Sequence, residues 1–180
     1  MSIEVHVKQL QEQLNDLQTK QPNDQISIIV FSGDLDKVLA SMIIATGARA
    51  MDMDVKMFFT FWGISMLRDK QKKANGKDFM SKMFGIMLPK GSTRLKLSKM
   101  NMAGMGTGML KDLMKKKHVS SLEELIAIAS ELGVEINICQ MSMDLMGFKK
   151  EEMIDYPKLN YCGVATYLAD AGESRVQLFI

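Results

Sequence analysis

The chain has 180 residues, 47% of them hydrophobic and 24% charged, with 18 methionines, 13 glycines, three prolines and two cysteines. That length fits one domain, or one domain carrying an insertion; the apolar content excludes a disordered or collagen-like chain, and two cysteines at unrelated positions exclude a disulfide scaffold. The net charge of +2 hides a segregation: residues 56–118 hold 15 Lys/Arg against 3 Asp/Glu, so the rest is acidic, an asymmetry that marks a functional surface.

Residues 2–20 predict a helix. Ile3, Val7, Leu10, Leu14 and Leu17 fall on one stripe among Gln, Glu, Asn, Asp and Lys. Two heptads are too few for an independent coiled coil, so this amphipathic segment (1–22) must pack on its own domain or on a partner subunit. Pro22-Asn23-Asp24 breaks it, and residues 23–180 form the expected single domain. Ile26–Phe31 is a short β-branched run, read as a buried strand. Ser32-Gly33-Asp34 follows, then a helix over Leu35–Met51 that is apolar on more than one face. A second strand, Val55–Thr60, ends at Phe61-Trp62-Gly63.

The basic, methionine-rich stretch that comes next is too long for one crossover. Its patterns predict helices over Ile64–Lys73, Asp78–Met87 and Met109–Lys117, and residues 75–117 are read as an insertion. Ser121-Leu-Glu-Glu124 is a capping box opening a helix that Gly133 closes. Val134–Ile138 is a third strand ending at Cys139. Asn160 is read as the cap of a helix through Ala171, and Arg175–Ile180 as a terminal strand. This rhythm gives an α/β fold with a mostly parallel sheet, in which ligands bind beyond the carboxyl ends of the strands. The loops opening there are Ser32-Gly33-Asp34, Thr60-Phe61-Trp62-Gly63 and Cys139-Gln140-Met141.

Several chemistries are excluded by pattern. His6 and His118 make no zinc spacing with the cysteines, and neither a nucleophile elbow nor a phosphate-cradling Gly/Lys loop is present. Gly104-Met-Gly-Thr-Gly108 has the wrong spacing for a dinucleotide and follows no strand. Asp34 and Asp36 would repel an anion at the first loop, which favours helix capping there. Met100-x-Met102 and Met141-x-Met143 have the form of soft copper pairs, but methionine is more commonly an adaptable apolar filler. Neither a cofactor nor a metal is expected. Nucleic acid is not expected either, because stacking aromatics in the basic stretch stop at Phe79 and Phe84. No apolar run approaches the ~20 residues of a membrane span, and residues 1–10 lack a signal-peptide pattern. The expected compartment is the reducing cytoplasm, with peripheral contact to anionic membrane through the basic insertion as a second expectation.

Cys139 is the leading candidate for chemistry. A thiol at the end of a parallel strand emerges at the ligand crevice, and a helix starting after it would favour the thiolate that attacks or carries sulfane sulfur. The alternative is a buried inert thiol. Cys162 has a similar rationale as an accessory, weighed against simple packing beside Gly163, Val164 and Ala165.

Cys139-Gln-Met-Ser-Met-Asp-Leu-Met-Gly147, Gly163-Val-Ala-Thr-Tyr-Leu-Ala169 and Leu178-Phe-Ile180 resemble the DsrE/DsrF/DsrH-like family, in its larger methionine-containing branch. The resemblance runs from about residue 26 onward, including Phe58–Gly63 and the insertion. It implies a flavodoxin-like three-layer α/β/α fold, homo- or hetero-oligomers that are often trimers or hexamers (a homo-oligomer is the expectation here), and sulfur transfer through a cysteine persulfide, with Cys139 at the matching position. Two function classes follow. One is a sulfur carrier or sulfurtransferase exchanging sulfur with donor and acceptor proteins or small thiols. Its pocket would be built from Ser32, Gly33, Thr60, Trp62, Met141 and Met143. The other is a non-catalytic oligomeric adaptor that docks to a membrane surface or redox partner through the basic methionine-rich insertion. Exposure of Cys139 to a pocket favours the first, and a sealed Cys139 the second.

Overall fold

The computed structural model describes residues 3–19, 21–72, 74 and 79–180. Five strands, β1 (Asn23–Val30), β2 (Asp54–Phe59), β3 (Glu135–Cys139), β4 (Leu159–Cys162) and β5 (Ser174–Phe179), form one sheet in the order β4-β3-β2-β1-β5. Every neighbouring pair is parallel. Seven α-helices are described: α1 (Ile3–Thr19), α2 (Leu35–Ala50), α3 (Phe79–Met87), α4 (Met105–Lys116), α5 (Leu122–Glu131), α6 (Gln140–Met146) and α7 (Val164–Glu173).

Strand alternation separates two faces. Ile26, Ile28 and Val30 of β1, Val55, Met57 and Phe59 of β2, and Ile136 and Ile138 of β3 point one way into the main core. Leu35, Val38, Leu39, Met42 and Ala45 of α2 close over them, with Leu122, Leu125 and Ala129 of α5 and Met143 and Met146 of α6. The alternate positions face α7: Lys56 pairs with Asp170, and Phe58 stacks on Tyr167 at 5.3 Å between ring centroids. Gln25 and Ser27 hydrogen-bond Ser174 at the end of α7. The chain therefore winds outward from β1 to β4 with its crossovers on one face, then returns over the other face to β5. This is the result of right-handed crossovers running in opposite directions. The α/β sandwich expected from the sequence is present, and its sheet is wholly parallel.

The local signals behave as chemistry dictates. At α5 the Ser121 hydroxyl accepts from the Glu124 N–H and the Glu124 carboxylate accepts from the Ser121 N–H, completing the capping box. Gly133 then adopts a left-handed φ of 73°. Asp34 occupies the N-cap of α2, but its carboxylate takes the Ser32 hydroxyl and Lys37 instead of a free helix N–H. Lys96 supplies the carbonyl for Leu35 N–H.

Four expectations need correction. The segment expected as a helix over Ile64–Lys73 is a 3-10 helix over Phe61–Leu67, after which Arg68 is extended and bridges Met153. The helix expected from Met109 begins at Met105 and contains Gly106 and Gly108. Gly106 is required there: a Cβ would lie 1.9 Å from the Met100 carbonyl oxygen. Asn160 caps no helix; it lies inside β4, and α7 starts after Gly163. The fourth concerns the α1 stripe. Val7, Leu10 and Leu14 are exposed, so their part of the stripe is not covered by its own domain, the first of the two expected partners, while the side chains of Ile3 and Leu17 lie outside the described residues. The start of the expected insertion, residues 75–78, also lies outside them.

Residues 79–118 carry little buried surface. Neither α3 nor α4 contains a buried residue, whereas Leu95 is fully buried and Leu88, Leu110 and Met114 lean on the core. Polar ties hold the segment as well. Asp36 accepts from both the N–H and the hydroxyl of Ser98. Arg68, itself buried, donates to the carbonyls of Gly85, Leu88 and Pro89 and faces Glu152 at 3.8 Å.

Candidate functional site

Because all five strands run the same way, their carboxyl ends meet at one edge. β3 feeds α6 on the main-core face, and its neighbour β4 feeds α7 on the opposite face. Adjacent strands whose connections leave to opposite sides define the crevice where α/β sheets bind ligands. Cys139 is the last residue of β3, and Cys162 the last of β4.

The two cysteines are direct register partners, Cys139↔Cys162, two residues beyond Asn137↔Asn160. The side chains of that preceding pair share one carboxylate: Glu135 accepts from the amide groups of both Asn137 and Asn160. Period-two alternation puts both thiols on the same α7-facing side of the sheet. Cys139 is 3% exposed; Cys162 is half-buried. Burial pushes the Cys162 thiol above its ordinary pKa, opposed by a hydrogen bond from Thr166, while nearby acids and Cys139 itself add to the rise. Cys139 also stands at the N-cap of α6, with φ −66° and ψ 111°, so a helix does begin directly after it.

The other expected residues divide. Thr60 follows Phe59, the register partner of Ile138, and its hydroxyl bonds that of Ser142 at 2.8 Å, joining the end of β2 to α6. Trp62 and Met141 are substantially exposed at the same edge. Ser32 and Gly33 sit at the end of β1, beyond β2; a Cβ on Gly33 would lie 2.7 Å from the Trp62 carbonyl oxygen, so glycine lets these loops touch. Met143 faces the main core with 3% exposure, away from Met141. These two methionines therefore do not converge as a soft pair. Val164, Leu168 and Phe179 add an exposed apolar rim around the edge.

Five contributors are not singled out by the sequence: Thr166, Ser142, Asn160, Glu135 and Asn137. Thr166 and Ser142 are short hydroxyl side chains with no distinguishing pattern. Asn160 was given the wrong element. The alternation Glu135-x-Asn137-x-Cys139 was the available signal, since it places three polar or reactive side chains on one face of β3.

Two cavities lie near this end of the molecule. A basin of about 230 Å³ lies beside α6, between Gln140, Met143, Asp144, Phe148 and Lys149–Glu151. A larger cavity of about 550 Å³ lies between the starts of α2 and α5 and the end of α4, with Lys111, Lys115 and His118 on its wall. Neither is lined by Cys139. Among the described residues, no three His, Cys, Asp or Glu side chains gather as a metal site, and no helix is long and apolar enough to cross a membrane.

Comparison with known proteins agrees with this architecture. Residues 22–179 match the model of the DsrE/DsrF/DrsH-like family. The chain is 49% identical over 154 residues to the uncharacterized protein YrkE of Bacillus subtilis, covering 86% of this chain and 95% of that one. It is 36% identical over 160 residues to the sulfur carrier protein DsrE2 of Allochromatium vinosum, covering 87% and 98%. The crystal structure of the ychN protein from E. coli superposes with a TM-score of 0.53 at 11% identity, covering 87% and 98%, which shows a shared fold. On the extent of the family match and on both sequence relatives, the chain belongs to the DsrE/DsrF/DrsH-like family.

Proposed function

We propose that this protein is a sulfur carrier that holds sulfane sulfur as a persulfide on Cys139. The observation that carries the reading is the position of Cys139 at the carboxyl end of β3, where crossovers leave to opposite faces. Similarity to a protein named as a sulfur carrier supports it. The chemistry needs one thiol and a shielded place for a labile S–S bond. Cys139 is 3% exposed and lines neither cavity, which on exposure alone favours the adaptor; the carrier reading stands on the strand-end position and the similarity, and the same burial would screen a persulfide from solvent thiols. Donor and acceptor are proteins or small molecules bearing thiols. Assembly into a homo-oligomer through the exposed α1 stripe belongs to the same reading.

Mass spectrometry tests it. After incubation with glutathione persulfide, the peptide containing Cys139 should gain about 32 Da, one sulfur atom. The Cys139→Ser variant should gain nothing at that peptide. Absence of the gain in the wild type would refute the assignment.

A second reading has its own observation. Met80, Met87, Met100, Met102, Met105 and Met109 are all exposed on the basic segment, a surface suited to an anionic membrane or acidic partner. Salt-sensitive co-sedimentation with anionic liposomes, retained by Cys139→Ser, is the result that reading requires.

A further inference from the structure

A carrier thiol that is 3% exposed poses a physical problem. Sulfur exchange proceeds by thiolate attack on an S–S bond, and the incoming sulfur must line up with the bond being broken. A donor cysteine on another protein cannot make that approach to Cys139 where it lies. The side chain able to make it is the next one across the sheet. Cys162 is the register partner of Cys139, on the same face, half-buried, at the end of the edge strand β4. Neighbouring strands lie about 4.8 Å apart, within the Cα separation of about 4.4–6.8 Å that a direct S–S bond spans.

We propose that Cys162 is the exchange thiol and Cys139 the storage thiol of a two-cysteine relay, so that sulfur enters and leaves the buried position only through its neighbour on β4. This rests on the carrier reading above and assigns Cys162 a role in it. In the first step the Cys162 thiolate attacks the outer sulfur of a donor persulfide. A new S–S bond forms on Cys162, the donor S–S bond breaks, and the donor leaves as its thiolate. In the second step the Cys139 sulfur attacks that same outer sulfur. The bond to Cys162 breaks as the bond to Cys139 forms, and the proton lost by Cys139 returns to Cys162. The sulfane sulfur keeps its oxidation state throughout, so neither oxidant nor reductant is consumed. Release to an acceptor thiol runs the same steps backwards. The alternative attack of Cys162 on Sγ of Cys139 forms a Cys139–Cys162 disulfide and expels hydrosulfide; this side reaction uses the same contact.

The test uses the full chain and glutathione persulfide, sampled over time by peptide mass mapping. In the wild type the gain of about 32 Da should appear first on the Cys162 peptide and pass to the Cys139 peptide. In Cys139→Ser it should accumulate on Cys162. In Cys162→Ser and Cys162→Ala, loading of Cys139 should slow at least tenfold. Loading of Cys139 at the wild-type rate in both Cys162 variants overturns the relay and leaves the carrier reading intact. Sulfur that stays on Cys162 in the wild type overturns the relay together with the assignment of storage to Cys139. No gain on either cysteine overturns both readings. A separate arm with oxidised glutathione tests the contact without sulfur loading: the wild type should lose about 2 Da as an intramolecular disulfide. Retention of two free thiols there means that the sulfurs do not meet, and refutes the relay whatever the loading shows.

Discussion

Replacing Arg68 with alanine is expected to loosen the basic segment from the core and to lower stability markedly. The guanidinium is 2% exposed, and it touches three carbonyls in the last turn of α3 and the loop after it. It faces the equally buried Glu152 at 3.8 Å and lies 4.5 Å over the Phe148 ring. Desolvation lowers its pKa, with Glu152 opposing, yet the group stays charged at neutral pH. Removing one member of a buried pair costs about 3–5 kcal/mol, because the other charge is left in a poor solvent. For a chain of this length each kcal/mol corresponds to about 2–4 °C, so the melting temperature should fall by roughly 10 °C. The double replacement Arg68→Met with Glu152→Leu removes both charges at similar volume and should recover much of that loss. Thermal melts by circular dichroism measure the stability, and amide exchange over residues 79–90 measures the loosening. A fall of under about 2 °C in Arg68→Ala, with exchange unchanged, would show that the pair is not what holds the segment.

Alkylation of Cys162, followed by iodoacetamide in the Cys139→Ser background, should still be rising at pH 9, because burial raises its pKa above the ordinary thiol value and keeps the thiolate the minor species. A plateau by pH 8.5 would contradict this. Gly63→Ala should destabilise by about 1–3 kcal/mol, since its Cβ would lie 2.3 Å from the Val30 carbonyl oxygen. Gly47→Ala, in α2 with nothing within 4 Å, should stabilise by about 0.5–1 kcal/mol; melts that rank the two the other way would refute the packing argument. Light scattering should find the wild type larger than its 20.2 kDa chain mass, and Val7→Ser/Leu10→Ser/Leu14→Ser should shrink it. A wild-type monomer at micromolar concentration would rule out assembly through this stripe.

The elements that read clearly from sequence are those in which local chemistry and tertiary demand agree. β1 and β3 announce themselves through β-branched residues, β2 through the apolar set Val55, Met57, Phe58 and Phe59, and α5 through Ser121, Glu124 and Gly133. β4 does not: Leu159-Asn-Tyr-Cys162 is four residues long at an exposed edge, has no β-branched member, and has its identity fixed only by the ladder to β3. That one misreading separated Cys162 from Cys139, so the closest relation in the site was invisible until the register was known. The 3-10 helix over Phe61–Leu67 was illegible for a similar reason. Its helical-looking apolar run is held at Gly63 by backbone contact with Val30 and Phe31 at the end of β1, far away in sequence. Position at a strand end was readable for Cys139, whereas its burial depends on neighbours that the sequence does not name.

The strand order also governs when the fold can form. β1 is flanked by β2, made soon after it, and by β5, whose Phe179 pairs with Ile29 from 150 positions away. Until that late strand arrives, Ile29 and Ser27 border an open ladder of unpaired N–H and C=O groups. Closure of so long a loop is slow, because its entropy is lost before the pairing is gained. During synthesis the four strands β1-β2-β3-β4 therefore wait with the β1 edge unpaired. Competition at this stage is between the chain's own last strand and any other extended segment nearby, including the same segment of a second nascent copy. Aggregation yield on refolding should accordingly depend more on substitutions in Ser174–Phe179 than on equally exposed changes in α1.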